Sequence, residues 1–157
     1  MASRTFRLET AVSAPPEQAI DYLARLDAHR GIHPYLESAV PVARGSDGEG
    51  DWIDWRIVER PTIGPFHYRI RFGARMIRIS ATTMIGHVQA APGCTLETRT
   101  TATSSGGGSL VTETTLVTAP APLVRYMTRH AEIAHARTFA ALPHLLADAP
   151  PGNTLTP

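Results

Sequence analysis

Five side chains in this sequence are of a type and spacing that could do chemistry. Tyr35 follows directly on the His33-Pro34 break, where a phenol can hydrogen-bond a carbonyl or give up a proton. Glu59 and Tyr68 flank the run RPTIGP at 60–65. A carboxyl such as Glu59, placed in apolar surroundings, would have its pKa raised and could serve as a general acid or base. The segment RHAEIAHARTF carries His130 and His135. They lie five residues apart, about 140° around a helix, so both cannot point straight at one site. The spacing also misses the four-residue step of a helical metal pair, so no metal site and no cofactor are expected. One of the two, with His130 as the candidate, is expected to reach an interior as a proton shuttle. Each residue also has a plainer reading: a packed tyrosine with its hydroxyl at the rim, a solvated glutamate beside Arg60, a surface histidine.

Composition removes other chemistries. All fifteen basic residues are arginine, and without lysine there is neither a Schiff base nor a phosphate-binding P-loop. The net charge of +1 argues against nucleic-acid binding, and the single cysteine, Cys94, forms no intrachain disulfide. No G-x-S-x-G or dinucleotide fingerprint is present, and the glycine run at 104–108 reads as a hairpin turn. No apolar run reaches the ~18–20 residues of a membrane span, and no secretory leader is recognisable, so a cytoplasmic location is expected.

The elements that must position these residues follow from periodicity. Residues 4–12 alternate as a half-buried strand. SAPPEQAIDYLARL reads as a helix capped by Ser13, and a second short or broken helix is expected over 28–36. From 38 to 118 turn signals separate six strands of an antiparallel meander, at about 38–45, 51–60, 65–78, 81–90, 94–104 and 108–118. From Pro120 to Ala147 a 3.6-residue stripe of Leu123, Val124, Met127, Ala131, Ala134, Thr138, Ala141, Leu142 and Leu145 predicts a long amphipathic helix, with a kink or early end near Pro143. Together 1–147 form one α+β domain, and 148–157 a disordered tail.

Hairpin register predicts which side chains face inward. Pairing Glu59 with Phe66 sets Ile57 against Tyr68, Trp55 against Ile70 and Ile53 against Phe72, with Arg56, Arg69 and Arg71 on the solvent side. Trp55 and Tyr68 could then stack on a planar ligand. The APG turn sets Val88 against Leu96. The glycine-rich turn sets Leu96 against Leu116 and Ala102 against Leu110, which pairs Arg99 with Glu113 on the outer face. Thr98, Thr100, Thr112 and Thr114 then fall on the inner face, their hydroxyls needing partners that ligand or backbone would supply. Ile57, Ile70, Phe72 and Met84 from the strands, and Met127, Ala131 and Ala134 from the helix, complete the expected lining.

This order, with its opening FRLETAVSAPPEQAIDYLARLDAH, the HPYLESA segment and the closing LVTETTLVTAPAPLVRYMTRHAEIAHARTF, resembles the START-like (SRPBCC) superfamily, and within it the bacterial polyketide cyclase/dehydrase-type proteins. The resemblance spans about residues 4–147. It implies a helix-grip fold, a curved sheet wrapped around the C-terminal helix with an apolar cavity between, and it places Tyr35 near the cavity mouth. It implies either binding of a hydrophobic small molecule, polyketide-like or another aromatic or lipid metabolite of secondary metabolism, or a cyclase that closes and dehydrates a polyketone. Relatives of the aromatase kind use pocket arginines, and here the arginines fall on the face assigned to solvent. A protein-interaction role is the third reading. Tyr126 and Ile133, on the expected outer side of the helix, hint at a homodimer contact of small area.

Overall fold

The computed structural model describes residues 1–147 apart from the side chain of Ile63; the tail expected over 148–157 lies outside the described residues. Strand β1 (Ala2–Val12) is followed by helix α1 (Pro16–Ala24) and a 3-10 helix (Leu26–His29). Then come β2 (Leu36–Asp47), β3 (Gly50–Glu59), the two-residue strands β4 (Thr62–Ile63) and β5 (Phe66–His67), β6 (Ile70–Ser80), β7 (Thr83–Ala91), β8 (Cys94–Ser105), β9 (Gly108–Ala119) and helix α2 (Ala121–Leu145). The main sheet has seven antiparallel strands in the order β1-β9-β8-β7-β6-β3-β2, with β4 and β5 as a separate small hairpin. This is the α+β helix-grip arrangement: a meander whose last strand takes back β1, with α2 packed on β1 and β9.

Alternation along the strands decides the faces. On β8 and β9 every second residue is buried, from Cys94 to Ala102 and from Val111 to Ala119. The main cluster joins Ala19, Ile20 and Leu23 of α1 to Phe139 and Leu142 of α2 and to Trp55, Met76, Met84, Ala102 and Val111 of the sheet. Ile20, Leu142, Val111 and Val117 are fully buried, each worth roughly 1.5–3 kcal/mol of transfer free energy.

Several local expectations are corrected. Pro15, not Ser13, holds the N-cap of α1, and the Ser13 hydroxyl donates instead to the Leu146 carbonyl at 3.5 Å. The second helix is shorter and earlier than 28–36, ending at His29. Pro143 does not end α2 early, because the turn around it is held by Leu142, whose carbonyl accepts from Leu146 N at 3.0 Å. The buried stripe of α2 is rotated relative to the expected one. Thr128 and Phe139 are buried, whereas Leu123 and Leu145 are exposed. That rotation carries His135 towards the centre of the buried face and leaves His130 at its edge.

Two hairpin registers differ from expectation, with unequal consequences. Glu59 pairs with Ile70, not Phe66, and Ile57 with Phe72, because the β4–β5 hairpin takes up the intervening residues. The displacement is four residues, an even number, so the side chains of β3 and β6 stay on their expected faces, whereas Phe66, carried off in the small hairpin, is exposed instead of facing inward. Val88 pairs with Leu96 as expected. Between β8 and β9, however, Ala102 pairs with Val111 and Leu96 with Val117. Gly106 and Gly107 form a two-residue turn with φ of 57° and 88°, the positive values a tight hairpin requires. The one-residue slip inverts β9. Thr112 and Thr114 therefore face outward, Arg99 pairs with Thr114 rather than Glu113, and Glu113 points into the sheet's concave side.

Among the described residues no helix is long and apolar enough to cross a membrane.

Candidate functional site: a polar-tipped cavity under the long helix

A cavity lies between the concave face of the sheet and α2. The space open to the centre of a water molecule is about 190 Å³. One water needs roughly 10–15 Å³ by the same measure, so the cavity holds far more than a single solvent molecule. Ile57, Ile70, Phe72, Met76, Met84, Val88 and Leu96 form the sheet wall, and Met127, Ala131, Ala134 and Phe139 the helix wall. Leu23, Leu26 and Leu36 close the side under α1. Gly86 helps make this space: a Cβ there would lie 2.5 Å from Thr98 Oγ1 and 3.1 Å from Met76 Sδ.

Of the residues singled out from sequence, Tyr35, Glu59, Tyr68 and His130 all reach the cavity, as do Ile57, Ile70, Phe72, Met84, Thr98, Met127, Ala131 and Ala134. Trp55 and Thr100 face inward but do not line it. Trp55 is packed in the core with its Nε1 unpartnered, and Thr100 is buried behind the lining as a hydrogen-bond donor. Thr112 and Thr114 are on the opposite face for the register reason given above. Tyr126, expected on the outside as a dimer contact, lines the cavity instead, its hydroxyl 3.2 Å from that of Tyr68.

The polar groups form two stations. The inner one was not anticipated. Glu113 is 6% exposed, and its carboxylate is fully partnered. Oε1 lies 2.5 Å from His135 Nδ1 and accepts from Thr115 Oγ1 at 3.2 Å; Oε2 accepts from Thr100 Oγ1 at 3.3 Å. Burial alone would raise this carboxyl, but the charge and hydrogen bond of His135, with the two threonine hydroxyls, hold it below the ordinary value. Burial would likewise lower His135, yet Glu113, aided by Glu59, holds it above the usual histidine value. Each group thus favours the charged form of the other, carboxylate on Glu113 and imidazolium on His135. Phe6 meets the imidazole edge-on at 5.7 Å and fixes its plane. Nδ1 is committed to Glu113, so Nε2 is the nitrogen left for the cavity that His135 lines.

The outer station surrounds Glu59. Burial pushes its carboxyl up to about 7, against a smaller opposing pull from His135. His33 Nε2 is 3.5 Å from Glu59 Oε1. The Tyr35 backbone N–H donates to His33 Nδ1 at 3.4 Å, so the proton of the neutral ring sits on Nε2, facing Glu59. Burial pulls His33 down to about 3, and His29, whose Nε2 lies 3.3 Å from the Tyr22 carbonyl, to about 4. Both are neutral near pH 7. The His130 ring lies tilted between those of Tyr126 at 4.3 Å and Tyr35 at 5.5 Å, and burial, with Arg129 nearby, lowers its pKa. Burial, then the bond to Tyr126, pushes the Tyr68 phenol upward.

Sequence reasoning missed Glu113, His29, His33 and Tyr126. A two-residue turn at Gly106-Gly107, rather than a looser one, would have turned Glu113 inward and exposed the pair. Among the described residues no cluster of three or more His, Cys, Asp or Glu side chains could hold a metal ion.

No protein-family model matches the sequence, and no curated protein matches it. Solved structures do. Zhui aromatase/cyclase from Streptomyces sp. R1128 superposes with a TM-score of 0.73 at 13% identity, over 92% of this chain and 94% of that one. Ara h 8.0201 gives 0.70 at 16% identity, over 92% and 98%. A START superfamily protein from Mycobacterium smegmatis gives 0.61 at 16% identity, over 88% and 98%. The strand order, the gripping helix and these superpositions together establish that the chain has the START-like, SRPBCC-type helix-grip fold that polyketide aromatase/cyclases also adopt.

Proposed function

We propose that this protein binds an apolar, oxygen-bearing small molecule in the cavity beneath α2, of the size and character of an aromatic polyketide or a related secondary metabolite. The observation that carries this reading is the cavity itself: continuous apolar walls with a few converging polar groups, the usual make-up of a small-molecule site. A core filled by side chains would have favoured a protein-binding role instead. The aromatase/cyclase neighbours supply the ligand class by analogy of fold.

The test is a thermal-shift screen of aromatic polyketides, quinones, flavonoids, sterols and fatty acids. A ligand at 100 times its dissociation constant adds about 2.7 kcal/mol, a rise on the order of 5–10 °C for a domain of this size. The shift must disappear in Ala131→Phe, which fills the helix wall. A flat response from ligand-free protein across every class sinks the reading.

A second reading, a cyclase that closes and dehydrates a polyketone, is favoured by one specific observation. Two titratable groups held above their ordinary values for different reasons, Glu59 by burial, which favours its neutral acid, and His135 by Glu113 against burial, which favours its cation, line the same apolar space. A protein that only binds needs neither.

A further inference from the structure

The Glu113–His135 pair is an expensive thing to build into a sheet. Taking two charges out of water costs several kcal/mol each, and a pair of apolar residues would fill the same space without that cost. Here four side chains, Glu113, His135, Thr100 and Thr115, are committed to it. Glu59 presents the opposite case: a carboxyl on the wall of the same cavity that accepts no hydrogen bond among the described residues, with His33 Nε2 at 3.5 Å.

We propose that these two stations move a proton between carbon and oxygen of a bound ketone, with Glu59 taking the proton from the carbon beside the carbonyl and His135, positioned by Glu113, donating Nε2–H to the carbonyl oxygen. This rests on the ligand-binding reading above. The substrate class is an apolar, ring-bearing ketone with a hydrogen on the adjacent carbon. The roles follow from the arrangement. Glu113 occupies Nδ1 and keeps the imidazole protonated, so His135 begins as the acid and offers Nε2–H. Glu59, at about 7, is partly ionised near neutrality and begins as the base. Facing Glu59 are His33, Tyr35, Tyr68 and His135; facing His135 are Glu113, Glu59, His29 and His33. Of these neighbours the two histidines are neutral, so the charges that matter are those of the three named groups.

The step balances without any co-reactant. The C–H bond breaks and its proton goes to a Glu59 oxygen. The electron pair becomes the C=C of an enol, and the carbonyl π pair becomes an O–H bond with the proton from His135. On return, His135 recovers its proton from the enol oxygen and Glu59 reprotonates carbon. When Glu59 has meanwhile exchanged its proton with solvent, the net reaction in heavy water is C–H to C–D.

The experiment uses the full chain and 2-tetralone, a compact aromatic ketone, in D2O. Binding is followed by tryptophan fluorescence, and deuterium incorporation at carbon by NMR. Wild type is expected to exchange faster than buffer. The rate should rise as pH passes through about 7 and fall again where His135 loses its proton. Glu59→Gln is expected to lose exchange by about 100-fold or more while still binding. Glu113→Gln should move the upper limb of the pH profile to lower pH, an effect that loose folding alone does not produce. Because a variant at this buried pair can also fail to fold, the protonation of His135 is read directly in wild type by nitrogen NMR. Both ring nitrogens should carry protons at pH 7, and a neutral ring there overturns the proposal. Tetralone that binds but exchanges at the buffer rate overturns the proposal and leaves the ligand-binding reading intact. Tetralone that neither binds nor exchanges counts against the proposal, and joined to a flat ligand screen it removes both.

Discussion

Replacing Glu59 with glutamine should make the protein more stable at alkaline pH and leave it unchanged at acid pH. An unfolded glutamate ionises near 4.5, whereas in the folded protein burial delays ionisation to about 7. The folded state therefore binds a proton that the unfolded state has lost, and stability falls as pH rises through that interval. Carried through, the interval is worth about 3 kcal/mol at full ionisation. Glutamine matches the neutral acid in shape and does not titrate, so the variant keeps that stability. His29 and His33 titrate in both proteins and cancel in the comparison. Glu59 also helps hold the proton on His135, so 3 kcal/mol is an upper bound. Urea denaturation of both proteins from pH 5 to pH 9 measures the difference directly. It should grow from about 1 kcal/mol or less at pH 5 to about 2–3 kcal/mol at pH 9, the latter roughly 5–10 °C in melting temperature. A difference that stays constant across the range would refute the claim that Glu59 is buried and uncompensated.

Two further outcomes follow from the same geometry. Gly86→Ala sets a methyl 2.5 Å from Thr98 Oγ1 and should cost about 1–3 kcal/mol of overpacking; Thr98→Ala removes that oxygen, so the double variant should recover stability, measured by denaturation. His33 resists protonation, its folded value of about 3 lying below the ordinary 6.5, so it costs stability as pH falls below 6.5; His33→Gln should flatten the acid limb of the stability curve between pH 6 and 4, and an unchanged acid limb would show that His33 is not sealed from water.

How much of this was legible in the sequence depends on which interactions set each feature. The strands, α1 and α2 follow from local periodicity and from glycine and proline punctuation and appear within a few residues of their expected bounds, except that the strand expected over 65–78 is divided into β5 and β6, with β4 as an unforeseen partner of β5. Glu59 and Tyr68 were recoverable because strand parity places them without knowledge of their partners; Tyr35 was placed only by the resemblance of fold, and His130 only as one of two histidines flanking the helical stripe. The inner station was not recoverable in that way. Glu113 and His135 are 22 residues apart on different elements, and neither is marked by a motif. His29 and His33 sit in and just after a 3-10 helix whose position no period announces.

The two register differences show where the boundary falls. At RPTIGP the sequence left the partner of each residue open by four positions, yet the faces were determined, since a shift by an even number preserves the alternation. At SSGGG three consecutive glycines could each accept the positive φ of a tight turn, so composition alone left the turn undetermined by one position. That single position decides whether Glu113 meets water beside Arg99 or enters the sheet to meet His135. The sequence by itself determined the order of elements, the apolar stripe and the existence of an inward face. Only the tertiary structure decided which acid lies on that face, because the cost of burying a carboxylate is met by an imidazole and two hydroxyls that fold in from α2, β8 and β9.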